Sequence, residues 1–277
     1  MERGAGEPKG GRARRWASVA LLALFIYGGP VRSLLPGLPL PAIPGGLDGL
    51  TLLLVLFSLV HASYALGPAH AAVFFGLSAA VSWLFEQVGV ATGLVYGPYH
   101  YTDYLGPRLG DVPLLIPLAW FMMIYPSYTI AGLIVAGRPF GSSGGAGRVA
   151  WLALIGAAVM TAWDMVVDPI LSSAPYRAWV WEAGGPYLGV PVRNFVGWLA
   201  TTLTVYALYR TLEHRRPGRA AGPLPRWLAG LPLVAYGAML AADLLAGGPL
   251  ELVVIGPFAM GLPLLAATAR LLEAPPG

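Results

Sequence analysis

Eight apolar stretches, each long enough to cross a bilayer as a helix of about 20 residues, fix the kind of fold before any motif is considered. They run over 16–35, 47–67, 69–93, 112–136, 149–171, 195–212, 228–247 and 251–272. In lipid every backbone N–H and C=O must be bonded within the protein, so such segments become helices. The expected fold is all-α: a polytopic membrane helix bundle of about eight transmembrane helices. It divides into a basic N-terminal tail (1–15), a single integral membrane domain (16–272) and a short C-terminal tail (273–277). Charge content agrees, since 11% of residues are charged against about 25% in soluble domains. Gly28-Gly29-Pro30 interrupts the first stretch early. That stretch follows Arg12, Arg14 and Arg15 as a signal peptide would. No small-residue cleavage pattern comes after it, so an uncleaved first span is expected. Gly67-Pro68 is so short a connection that the second and third helices should be antiparallel neighbours.

Basic residues orient the bundle. With the N-terminus cytoplasmic, all but Arg32, Arg108, Arg177 and Arg193 of the 17 lysines and arginines fall on the cytoplasmic side. This bias predicts both termini inside and a multi-pass protein of the cytoplasmic membrane. It also places the loops 94–111 and 172–194 together on the outer face. Read this way, the net charge of +4 is a topology signal, and no nucleic-acid partner is expected.

Three carboxyl groups in two of these stretches carry the argument: Glu86 in the third, Asp164 and Asp168 in the fifth. Each costs roughly 2.5–3.5 kcal/mol near the bilayer centre, so acid chemistry or ion handling is the working expectation. Asp164 and Asp168, four residues apart, share a helix face. Two close carboxylates resist ionising together, which keeps one neutral and able to donate a proton. The bland alternative is that these acids pair with arginines such as Arg193 or cap helix ends. Asp-x-x-x-Asp also occurs where magnesium diphosphate is held. No second acidic pair has that spacing, however, and Lys9 is the sole lysine.

The rest of the composition removes other chemistries. There is no cysteine, which excludes disulfides, thiolate catalysis and cysteine-ligated metals. His61, His70, His100 and His214 are scattered without an HExxH pair. His61 and His70 read as hydrogen-bonded helix-end residues more readily than as metal ligands. There is no Gly-x-Ser-x-Gly and no nucleotide-binding glycine motif; Gly89-x-x-x-Gly93 suits close helix packing. No metal and no cofactor are expected. Both outer loops are aromatic, and each contains Gly-Pro-Tyr followed by Val-Pro: 97–99 with 112–113, and 185–187 with 190–191. A diverged duplication and chance remain equally open, as does a plain aromatic belt at the bilayer interface.

As a set, these motifs resemble a known family. Trp83-x-x-Glu86-x-x-Gly89, Thr92-Gly93-x-x-Tyr96-Gly97-x-Tyr99-x-Tyr101, Leu105-Gly106 and Val112-Pro113 through Trp120 form the first block. Trp163-Asp164, Asp168-Pro169, Trp179, Trp181, Tyr187-x-Gly189-Val190-Pro191 and Asn194-x-x-Gly197-Trp198 form the second. Over roughly 80–200 the chain resembles the membrane carotenoid biosynthesis family, which includes carotenoid 1,2-hydratases and bisanhydrobacterioruberin hydratases.

The resemblance implies a hydro-lyase that adds water to the terminal ψ-end double bond of a carotenoid of the γ-carotene, lycopene or bacterioruberin-precursor type. Such a reaction needs a proton donor, a stabilised tertiary cation and a water, but no redox cofactor. Asp164 or Asp168 is the expected donor, and Glu86 the second acid or water base. Tyr99, Trp163 and Trp181 are expected to stabilise the cation through their ring faces, and Asn194 to orient water. Trp83, Tyr96, Tyr101 and Tyr187 complete the expected substrate contacts. The implied partners are the lipid-soluble carotenoid, membrane lipids and other enzymes of the pathway. Two other classes stay open: a non-catalytic carotenoid-binding or pathway-assembly protein, and a proton-coupled transporter using the same acids.

Overall fold

The computed structural model describes residues 10–217 and 224–273. Eight long helices follow the eight stretches: α1 (Gly11–Leu34), α2 (Gly46–Ala65), α3 (Pro68–Thr92), α4 (Leu115–Ala136), α5 (Ala146–Leu171), α6 (Val192–Arg215), α7 (Arg226–Leu245) and α8 (Leu252–Glu273). Helix α1 starts within the segment expected to be a tail, whose residues 1–9 lie outside the described ones. Gly28-Gly29-Pro30 does not end it. The chain widens into a π-helical turn over Tyr27–Val31 and continues to Leu34. Helix α8 has a second such turn at Pro257–Gly261.

Seven of the described helices are long and apolar enough to cross a membrane. Helix α6 is the exception, because it carries Arg193, Asn194, Arg210, Glu213 and several threonines. Its polar groups turn inward: Asn194, Thr201, Thr202, Arg210 and Glu213 are all buried. The eighth expected span is therefore a bundle helix that packs most extensively on α5.

Helix α4 is the axis. Every side chain from Trp120 to Leu133 is buried, as expected of a helix apolar all round, and α2, α3, α5, α7 and α8 all pack on it. Pro126 inside α4 cannot donate to the carbonyl of Met122 four residues back. Ser58 Oγ on α2 supplies the missing donor at 3.1 Å. Pro169 leaves the Met165 carbonyl of α5 free in the same way, and Tyr187 Oη donates to it at 2.8 Å.

The loops after α3 and α5 meet. Strand β1 (Tyr99–Tyr101), two short strands β2 (Arg108–Leu109) and β3 (Val112–Pro113), and β4 (Trp179–Trp181) form two separate antiparallel pairs, β1 with β4 and β2 with β3. In the first pair Tyr99 stands opposite Trp181, His100 opposite Val180 and Tyr101 opposite Trp179. The two Gly-Pro-Tyr segments are not equivalent here: Tyr99 begins β1, whereas Tyr187 lies after β4. Gly93 ends α3 in the left-handed conformation (φ 66°), its N–H bonded to the Gly89 carbonyl. Gly89 leaves room for the ring of Tyr96. The Gly89/Gly93 pair thus serves a helix end and a loop rather than a helix–helix seam.

Candidate active site

Glu86, one and a half turns before the end of α3, is 4% exposed. No arginine meets it. Tyr99 Oη donates to Oε2 at 2.5 Å, Tyr101 Oη donates to the same oxygen at 2.8 Å, and Trp120 Nε1 donates to Oε1 at 3.2 Å. Burial, and then the charge of Glu86, pushes the Tyr99 and Tyr101 phenols well above the ordinary tyrosine range, so both stay protonated donors.

Asp168, in the last turn of α5, is held by the same device. Trp179 Nε1 and Trp181 Nε1 each donate to Oδ1 at 2.9 Å. Asn194, in the first turn of α6, donates through Nδ2 to Oδ2 of Asp168 and Oδ2 of Asp164, both at 2.7 Å. Of the two ends of this amide only the NH2 has hydrogens for both carboxyl groups, which fixes the orientation of the Asn194 side chain between them. Oδ1 of Asp164 is buried with no partner among the described residues. Arg193, next to Asn194, points elsewhere: it is exposed and donates to the Gly93 carbonyl at 3.5 Å.

The ribbon of β1 and β4 explains why aromatic donors reach both acids. Side chains alternate along a strand, so Tyr99, Tyr101, Trp179 and Trp181 share one face while His100 and Val180 take the other. The shared face lies over the ends of α3 and α5. On the outer face His100 Nδ1 is 3.5 Å from Glu182, both more than half exposed.

Below the ribbon is a predominantly apolar cavity of about 230 Å³. Glu86, Asp168, Asn194, Tyr96, Tyr99, Tyr101, Trp179 and Trp181 line it, with Trp120, Trp163 and Trp198 from the helices. It extends between α1, α2 and α7, reaching the π-helical turn at Gly28 and Gly29. A third carboxyl group, Asp243 on α7, also lines the cavity. Trp163 Nε1 donates to its Oδ2 at 3.0 Å. Between Asp243 and Glu86 the indoles form a continuous arc. Trp163 meets Trp198 edge-on at 5.7 Å, and Trp198 stacks on Trp120 at 4.0 Å, the ring that donates to Glu86. Indole N–H and phenol O–H groups thus hold the acids, and the same rings line the cavity.

Most of the expected site residues come together here, but three stand apart from the cavity wall. Asp164 lies behind Asn194. Trp83 Nε1 donates to the Leu109 carbonyl at 3.1 Å, packing against the β2–β3 hairpin. Tyr187 is occupied with the carbonyl freed by Pro169. His61 is a buried core residue between Tyr125 Oη (2.6 Å) and the Leu228 carbonyl (2.9 Å). Asp243, Trp120 and Trp198 carry no role in the sequence-based reading. The signal for Asp243 was present, since it is the lone acid within 228–247.

Residues 48–264 match the family model described as carotenoid biosynthesis protein. Among curated proteins, the bisanhydrobacterioruberin hydratase of Haloarcula japonica is 31% identical over 129 residues. That alignment covers 46% of this chain and 41% of the relative, so the chain matches well under half of the relative's length. No solved structure matches.

Proposed function

Given that the chain belongs to the carotenoid biosynthesis protein family, we propose that it is a membrane hydratase acting on one end of a carotenoid. Water adds across the terminal ψ-end double bond, of the γ-carotene, lycopene or bacterioruberin-precursor type, to give a tertiary alcohol. The observation that carries this reading is the cavity itself: an apolar chamber with aromatic faces on its walls and three carboxyl groups, Glu86, Asp168 and Asp243, at its surface. The name of the Haloarcula japonica relative supports hydration as the reaction class.

The chemistry follows from the lining. An isolated trisubstituted double bond is unreactive toward water until it is protonated, and protonation leaves a tertiary cation. Ring faces stabilise a desolvated cation by up to about 2 kcal/mol each. The indoles of Trp120, Trp163, Trp181 and Trp198 and the phenol of Tyr99 supply such faces. Carboxylates aimed at the same space stabilise developing positive charge in a setting with little water to screen it. Asn194 and the carboxylate edges hold the incoming water, and Asp164 fixes Asn194 from behind. At about 230 Å³ the cavity lies below the ~300–1,000 Å³ of sites that enclose a drug-sized ligand. One end group enters and the remaining polyene stays in the bilayer. The arginine bias places the ribbon on the outer face of the cytoplasmic membrane. Membrane lipids border the entrance, and neighbouring enzymes of the pathway supply the polyene.

Production of the protein in a host that makes lycopene or γ-carotene tests the reading. Pigment heavier by one water is expected, and it should disappear in Glu86→Gln and Asp168→Asn while the protein still inserts. Unchanged pigment beside well-inserted wild type, with carotenoid co-purifying, would instead identify a pigment-binding protein without turnover.

A further inference from the structure

We infer that Asp243 is the proton donor of this site, and that Glu86 and Asp168 serve as fixed anions. This rests on the hydratase reading above. The assignment comes from counting what each carboxyl group already receives. Glu86 accepts from Tyr99, Tyr101 and Trp120, with a donor on each oxygen. Asp168 accepts from Trp179, Trp181 and Asn194, again with both oxygens engaged. An indole N–H or an amide NH2 can only donate. A proton placed on Asp168 would therefore weaken all three bonds, because a neutral carboxyl group accepts less strongly than a carboxylate. Asp168, one of the two expected donors, is surrounded instead by groups that only donate to it. Asp164 has a free oxygen but does not reach the cavity wall.

Asp243 differs on each count. It lines the cavity, and its sole hydrogen bond among the described residues comes from Trp163 to Oδ2. Oδ1 accepts no hydrogen bond among the described residues, which leaves it open to carry a proton, and the bond from Trp163 restrains the carboxyl rotamer. Two packed helices build this arrangement, since Trp163 is on α5 and Asp243 on α7.

The step balances without another reactant. The π pair of the terminal double bond takes the proton from Asp243 Oδ1; the O–H bond breaks, and a C–H bond forms at the less substituted carbon. The tertiary cation is left over the Trp163–Trp198–Trp120 arc, with the Glu86 and Asp168 carboxylates nearby. Water bonds to the cation, and the excess proton on its oxygen returns to the Asp243 carboxylate, which restores the acid.

The test uses the full-length protein in membranes of a carotenoid-producing host, with hydrated product quantified by mass spectrometry and bound pigment by absorbance. Asp243→Asn should retain bound pigment and lose product by at least about 100-fold, the scale of a general acid. Asp243→Glu, which keeps the acid, should recover part of it. Product from Asp243→Asn within about tenfold of wild type overturns the assignment. Equal losses in both variants with pigment still bound overturn it too, by making Asp243 a packing group. If Asp243→Asn does not insert, Asp243→Ala with added formate decides: restored turnover supports the assignment, and none overturns it. A wild type that adds no water overturns the hydratase reading and this assignment together. An active wild type beside an equally active Asp243→Asn overturns the assignment alone.

Discussion

Tyr99 and Trp181 face each other across the β1–β4 ribbon, their ring centroids 5.0 Å apart, and they donate to carboxyl groups on two different helices. Tyr99 reaches Glu86 on α3, and Trp181 reaches Asp168 on α5. One pair of rings therefore ties both acids to the same two-stranded ribbon.

Trp181→Phe keeps an aromatic face and removes one N–H. An acceptor that loses a buried donor costs about 1–3 kcal/mol. Hydrate formation should fall about tenfold or more, the equivalent of roughly 1.4 kcal/mol at the barrier. Bound pigment, read by absorbance of the purified protein, should change little. Turnover equal to wild type would show that the indole N–H is dispensable.

Gly197→Ala should destabilise the bundle. A Cβ at this position in α6 meets the Tyr96 ring and the Val95 carbonyl, and overpacking of this kind typically costs about 1–3 kcal/mol. Tyr96→Phe, which loses only the hydroxyl bonded to Thr201 at 2.8 Å, should cost about 0.5–1.5 kcal/mol. Thermal unfolding in detergent ranks the two, and the reverse order would refute the packing argument.

The bond from Tyr187 to Met165 exists because Pro169 cannot supply the donor. Tyr187→Phe should cost about 1 kcal/mol in the wild-type background. It should cost distinctly less in Pro169→Ala, where the helix regains its own N–H. A double-mutant cycle reads the difference as a coupling energy, and additive losses would remove the link.

Alkaline pH should expose the buried phenols. Burial, and next the Asp164 charge, pushes the Tyr187 hydroxyl up to about 12. Between the unfolded value near 10 and about 12, the unfolded chain gives up this proton while the folded one keeps it. Stability is therefore full below about pH 10 and declines above it. Tyr96, Tyr99 and Tyr101, also raised, act in the same direction. Unfolding midpoints that stay level through this window would contradict the burial of these rings.

Because the chain has no cysteine, single substitutions report topology cleanly. His100→Cys, on the exposed face of the ribbon, should react with an impermeant thiol reagent added outside intact cells. Arg215→Cys, at the exposed end of α6, should react only after the membrane is opened. The opposite pattern would invert the orientation read from the arginines.

Much of this architecture is legible in the sequence. Apolar length locates seven of the long helices clearly and the more polar α6 less so, and the cost of an acid in lipid singles out Glu86, Asp164 and Asp168. Other features depend on contacts that no local pattern records. Tyr99 pairs with Trp181 across 81 intervening residues, and nothing in either loop announces its partner. Trp120 and Trp198 stand in the two motif blocks, yet only the fold shows that they stack on each other beside Glu86. Tyr187 resembles Tyr99 in its local motif, yet Pro169 gives it a different task. Asp243, alone in its stretch as Glu86 is, belongs to neither motif block, and it joins the site only because α7 packs on α5.

The ribbon also decides what sets the distance between Glu86 and Asp168. Transmembrane helices tilt as bilayer thickness changes, and acids held only by their own helices would drift apart or together with the lipid. Here each acid is gripped by rings that project from paired strands, whose separation is fixed by backbone hydrogen bonds at about 4.8 Å. The ribbon works as a spacer bar at one end of the bundle, so the placing of the two carboxyl groups is mechanically insulated from the surrounding membrane.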